Sequence, residues 1–219
     1  MPGIPVTFAT KGEKPWKKIL KRSIPTHPIE RFSGLKLKFV LPTLAPNNQP
    51  LDIDNLCEPV FSVLINELGW FGGRRQNLKW WHAIKVCGQP SGLHLSIEQT
   101  APPEMTGEYG SPFFDEIYTG VLPSKATDHQ IPSWLNSFKK FEFPKSNDRF
   151  VIRLQFGETK VNIGDIATGK VKALTDCLYS LIGGCKGSPE DWRVDILQVE
   201  KGVTNLENNS VRISIWKKR

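Results

Sequence analysis

Apolar and polar residues alternate through LKLKFVLP (35–42) and again through RFVIRLQFG (149–157), the period of two expected of half-buried strands. Elsewhere the period lengthens. Val60, Val63, Leu64 and Leu68 recur at helical spacing, and the glycines of GWFGGRR end that run. Val171, Leu174, Leu178 and Leu181 do the same within TGKVKALTDCLYSLIGG. LKWWHAIKVC and LHLSIEQ read as two strands joined by GQPSG, a hairpin-like connection. WRVDILQVE and VRISIW read as another two, joined by KGVTNLENNS. Each series opens on a short apolar piece and a short helix candidate: IPVTFA with KGEKPWKKILKRSIP, and FDEIYTGVLP with SWLNSFKKF. The loop TLAPNNQP is rich in turn formers.

The two series run in the same order, β-α-β-α-β-β. Aligning the strand that starts at Leu78 with the one at Trp192 puts Glu58 opposite Lys172 at the same offset; the strands near Leu93 and Val211 lie slightly further apart because the second loop is longer. This predicts an α/β (α+β) protein of two related units, residues 1–105 and 106–219, separated by the linker-like TAPPEMTGEYGSP. Two such units in one chain pair about a pseudo-twofold axis, as a homodimer does. The expectation is a monomer acting as a pseudo-dimer, with two small mixed sheets and a broad groove between them.

Composition narrows the partners. The chain has 219 residues with 29 basic and 22 acidic side chains, a net charge of +7 that suits a polyanion, nucleic acid first. Cys57, Cys87, Cys177 and Cys185 form no C-x-x-C pair, and the histidines are scattered, so no zinc site or Ser–His–Asp arrangement is supported. Three of the cysteines lie in apolar runs and read as buried thiols in a reducing compartment. No run approaches the ~20 apolar residues of a membrane span, and the first residues do not read as a signal peptide, so a cytoplasmic location is expected.

One acidic stretch stands out against this basic background. LDIDNLCEP places Asp52 and Asp54 two apart in an extended lead-in, where both side chains point the same way, and Glu58 four beyond Asp54, on its face if a helix begins there. The plain reading is capping: Asp54 is a natural N-cap, and acidic groups in a first helical turn gain ~0.3–1 kcal/mol each. The other is a Mg²⁺ site of oxygen ligands facing a phosphate backbone.

DIDNLCEPVFSVL also resembles the helix-entry motif of the RusA-type Holliday-junction resolvases, roughly D-x-D-N-x-x-K-P-V-x-D-x-L. The resemblance implies a small α/β fold that works as a dimer, Mg²⁺ held by aspartates, a supporting lysine on the same helix, a second acidic pair in the turn after it, and cleavage of branched DNA. Asp52, Asp54, Asn55, Pro59 and Val60 match the motif, but Glu58 takes the lysine position, and Gly73 and Arg74 stand where the second acids belong. In the second half the losses are reversed. Lys172, Asp176, Glu190 and Asp191 match, while Ile166 and Thr168 replace the aspartates and Asp165 lies one residue off register.

Three outcomes are consistent with this pattern: one composite site in which Asp52 and Asp54 come near Lys172, two dead sites on a retained charged groove, or a changed chemistry. The simplest one-sided site has Asp52, Asp54 and Glu58 holding Mg²⁺ and Arg74 or Arg75 clamping a phosphate; one site would nick rather than make paired cuts. Lys172 and Asp191 complete the catalytic candidates. Lys17, Lys18, Lys21 and Arg22, within two turns of one helix, join Arg74 and Arg75 as candidate nucleic-acid contacts, with WKKR at the tail. Trp80 and Trp81 are adjacent on a strand, so one faces each side of the sheet. The functional expectation is a nucleic-acid-binding protein, either a Mg²⁺-dependent structure-specific endonuclease for branched DNA or an inactive relative that binds DNA or RNA or serves in a nucleic-acid-processing complex.

Overall fold

A computed structural model describes residues 1–26, 33–42, 51–138 and 144–218. The TLAPNNQP loop, His27, the end of SWLNSFKKF and Arg219 lie outside the described residues. In chain order the first half holds α1 (Glu13–Ser23), β1 (Gly34–Leu41), α2 (Ile53–Phe61), which continues as π-helical turns over Ser62–Glu67, β2 (Trp80–Cys87) and β3 (Gly92–Glu98). A short α3 (Thr106–Tyr109) follows. The second half holds β4 (Phe114–Thr119), α4 (Gln130–Leu135), β5 (Arg149–Phe156), α5 (Lys170–Asp176), α6 (Tyr179–Ile182), a two-residue hairpin of β6 (Gly184–Cys185) and β7 (Ser188–Pro189), β8 (Val194–Lys201) and β9 (Ser210–Lys218). IPVTFA forms no strand; only Pro2 bridges Gly92 of β3.

Among the described residues seven strands form one mixed sheet, ordered β3-β1-β2-β8-β5-β9-β4, and β6 and β7 pair apart from it. This corrects the expectation of two small sheets with a groove between them. The first-half order β3-β1-β2 recurs as β9-β5-β8, and the two groups join edge to edge through the antiparallel β2–β8 pair, where His82 faces Gln198. Closing this seam satisfies backbone groups that two separate sheets would leave exposed on their edges.

The hairpin expectation also needs correction. β2 does not pair with β3: β1 lies between them, parallel to β2 and antiparallel to β3. β5 separates β8 from β9 in the same way. Four residues, 88–91, span up to ~13 Å, enough to clear the ~10 Å of two strand spacings.

Alternation assigns the two faces. Leu35, Leu37, Phe39, Trp81, Ala83, Ile152, Leu154, Leu197, Val199, Ile213 and Ile215 meet α1, α2, α4, α5 and α6 in one continuous core that crosses the seam. On the other face Val151, Ile196 and Trp216 pack under Met105 and Tyr109, both in the linker. Trp80 and Trp81 do lie on opposite faces, but both are buried. Trp80 covers Gly34, where an added Cβ would come within 2.1 Å of its ring, and Trp81 donates to the Ile163 carbonyl at 2.8 Å. Two cysteines, Cys57 and Cys177, are buried rather than three; Cys87 and Cys185 are exposed.

Candidate metal centre

Asp52 is the N-cap of α2, with extended backbone (φ −73°, ψ 134°), and its carboxylate makes no capping bond. Asn55 organises both aspartates instead. Its side-chain amide donates to Asp52 Oδ2 at 2.8 Å, and its backbone N–H donates to Asp54 Oδ1 at 2.7 Å. Pro59 inside α2 has no N–H for the Asn55 carbonyl, and the Phe8 N–H fills that gap at 3.0 Å. The N-terminal segment is thereby tied to the helix entry. Asp54 is 1 % exposed, and its Oδ2 makes no hydrogen bond.

What faces these carboxylates comes from the second half of the chain. Lys172 on α5 points its ammonium at Asp191 (2.5 Å), Asp176 (2.9 Å), Asp54 (3.6 Å) and Asp52 (3.8 Å). Asp191 opens a 3₁₀ turn, Asp191–Arg193, immediately before β8. That turn is pinned by Arg193, which donates to the Asp148 carbonyl at 3.0 Å and pairs with Glu190 at 2.9 Å, and by Arg149, which donates to the Trp192 carbonyl at 3.2 Å. Lys85 on β2 ties the two lead-ins together, donating to Leu51 O at 2.6 Å and Trp192 O at 2.5 Å.

Four carboxylates around one ammonium leave an excess of negative charge. Burial, with Asp191 next, pushes the Asp52 carboxyl up to about 6. Burial and the neighbouring charges of Asp191 and Asp54 push Asp176 up to about 7, against the pull of Lys172. Burial raises Asp54 as well. Burial works against the Lys172 ammonium, but Asp54, Asp191 and Asp176 outweigh it and hold it above its ordinary value. Lys85, buried and near Arg149, is lowered to about 8.

Asp52, Asp54 and Asp191 each offer an oxygen, and these atoms lie within 4.8 Å of one another. Hard oxygen donors at this spacing, with Asp54 Oδ2 accepting no hydrogen bond and faced by the Lys172 ammonium at 3.6 Å, fit a small divalent cation such as Mg²⁺ or Mn²⁺. Glu58 is not in the group, contrary to the expected trio. Arg75 claims its Oε2 at 2.7 Å, and the Ile166 N–H reaches it at 3.3 Å. Asp191 takes the third place. Asp176 joins the cluster through Lys172, four residues before it on α5.

The other expected residues are spread more widely. Lys17 pairs with Glu13 at 2.6 Å and Lys21 with Glu67 at 3.1 Å, while Lys18 and Arg22 are exposed on α1. Arg74 is exposed; Arg75 is committed to Glu58. In the tail, Lys217 pairs with Asp148 and Lys218 with Asp195, both at 3.1 Å. Lys85 has no place in the motif. Its signal was a lysine in register with the core-facing Trp81 and Ala83, a position where alternation calls for an apolar side chain.

No family model, no curated protein and no solved structure matches this chain. Among the described residues no helix is long and apolar enough to cross a membrane.

Proposed function

We propose that this protein is a Mg²⁺-dependent endonuclease for branched DNA, built as two fused RusA-like units that share one composite site. The observation that supports it is the meeting of complementary remnants. Asp52 and Asp54, the acids kept by the first half, lie beside Lys172 and Asp191, the lysine and acid kept by the second. The losses that leave each half-motif incomplete fall outside this one place. Asp52, Asp54 and Asp191 hold the ion, which supplies charge neutralisation at a scissile phosphate and an acidified water. Lys172 orients the carboxylates and presents a positive charge to the phosphate, and Asp176 positions Lys172. The net charge of +7 and the exposed Lys18, Arg22 and Arg74 favour the DNA backbone. A single site nicks one strand.

A second reading has its own support. The Lys172 ammonium already lies within 4 Å of four carboxylates, so it serves as their counter-ion without a metal. The protein is then a binding-only relative.

One experiment separates the two. A labelled four-way junction and a linear duplex of the same sequence are incubated with the protein, with and without Mg²⁺ or Mn²⁺. The nuclease reading expects metal-dependent nicks in the junction that Asp54→Asn abolishes while binding persists. Intact junctions in both metals, with binding retained, leave the binding-only reading.

A further inference from the structure

Glu58 stands on α2 as Lys172 stands on α5, and each reaches a short 3₁₀ turn that precedes a central strand. Lys172 meets Asp191 in the turn Asp191–Arg193 at 2.5 Å; Glu58 meets Arg75 in the turn Arg75–Asn77 at 2.7 Å. The lysines behind them correspond too. Lys85 on β2 donates to the Trp192 carbonyl, and Lys201 on β8 donates to the Gln76 carbonyl, each at 2.5 Å. The two places share their parts, with acid and base exchanged. This also corrects the sequence register by a small step: Arg75, not Gly73 or Arg74, stands opposite Asp191.

We infer that the place around Arg74 and Arg75 is a blanked counterpart of the acidic site that binds a backbone phosphate of the strand that is held and not cut. The inference rests on the nuclease reading above. A cavity of about 600 Å³ opens there, walled by Arg74, Arg75, Asn66, Gln76, Glu58 and Asp165. Both acids are engaged. Glu58 accepts from Arg75 and the Ile166 N–H, and Asp165 accepts from the Thr168 N–H at 3.1 Å and its hydroxyl at 2.9 Å. Arg75 uses Nε on Asn66 and Nη1 on Glu58 and the Gly164 carbonyl, leaving Nη2 with no hydrogen bond among the described residues. The Arg74 guanidinium is exposed and makes no ion pair among them. A planar guanidinium with a vacant edge matches a phosphodiester better than a point charge does. With Ile166 and Thr168 in place of two acids, this place offers no set of three metal-ligating side chains of its own.

The test uses the full chain carrying Asp54→Asn, without divalent ions, titrated onto a labelled four-way junction from about 50 to 200 mM salt. Arg74→Ala is expected to weaken binding about 5-fold and to reduce the slope of log affinity against log salt by about 1; Arg74→Glu loses more. The pair Glu58→Gln with Arg75→Gln, which removes both charges together, shows a reduced slope as well. Lys36→Ala, which removes a charge paired with Glu98 on the far face of the sheet, keeps the parent slope. If the parent binds and both Arg74 variants keep its slope, this inference falls and the nuclease reading stands. If the parent does not bind the junction at all, both fall.

Discussion

The ammonium of Lys172 lies 3.6 Å from the buried Oδ2 of Asp54, so a cation from the second half of the chain neutralises a carboxylate from the first. The fold has to close its central seam before this contact exists.

Lys172→Met removes that cation and leaves four carboxylates facing one another. Breaking a buried pair from one side costs about 3–5 kcal/mol, and protonation of Asp176 and Asp52 recovers part of it. The expected loss is about 2–4 kcal/mol in urea unfolding with a chelator present. Mg²⁺ then raises the melting temperature of the variant more than that of the parent, because a ligand of the folded state stabilises by mass action. An unchanged midpoint in chelator would mean that Lys172 is not the counter-ion.

The same cluster sets a pH dependence. Asp52 and Asp176 are raised to about 6 and about 7, so the folded chain holds protons there that the unfolded chain has released above its ordinary carboxylate pKa. The folded state binds more protons across roughly pH 4 to 7, and stability falls as pH rises through that window. The stabilisation is complete below about pH 4 and gone above about 7. In chelator, urea midpoints therefore decline from pH 5 to pH 7.5, and Asp176→Asn flattens the profile. A rising profile would contradict the placement of these carboxyls.

Local patterning carried much of this in the sequence. Alternation marks β1 and β5, helical spacing marks α2 and α5, and the motif brings forward Asp52, Asp54, Lys172 and Asp191. The partnerships were not legible. Period-two patterning says which face a residue takes, not which strand lies beside it, so the insertion of β1 between β2 and β3 and the joining of β2 to β8 were invisible. One sign was available: β2 and β8 are buried on both faces, as central strands are. Glu58 lies one helical turn from Asp54, and spacing alone puts it in the metal set; only the packing of the 3₁₀ turns shows that Arg75 claims it and that Asp191 replaces it.

Lys85 offers a separate test, since it touches no proposed ligand oxygen. Its ammonium holds the carbonyls of Leu51 and Trp192, the neighbours of Asp52 and Asp191. Lys85→Met leaves the Leu51 carbonyl without a donor, at about 1–3 kcal/mol, and the Trp192 carbonyl with Arg149 alone, partly offset because a buried charge is also removed. The lead-ins then separate, and Mn²⁺ affinity measured by calorimetry is expected to fall about 10- to 100-fold, the usual effect of losing an outer partner of a metal site. Retained affinity in a stable variant would show that the two aspartates hold their positions without this lysine.

The Glu58–Arg75 pair can be judged by stability alone. Both side chains are largely buried, 6 % and 13 % exposed, so neither single truncation is cheap. Arg75→Gln strands a buried carboxylate with the Ile166 N–H as its remaining donor, and Glu58→Gln strands a guanidinium still held by Asn66 and Gly164. The first is expected to cost about 3–5 kcal/mol and the second less, because Arg75 keeps two acceptors. The double variant should return to within about 1–2 kcal/mol of the parent, giving a coupling energy of about 2 kcal/mol or more in a double-mutant cycle from urea unfolding. Additive losses would mean that the two charges do not meet in solution, and the correspondence between this turn and the Asp191 turn would lose its main support.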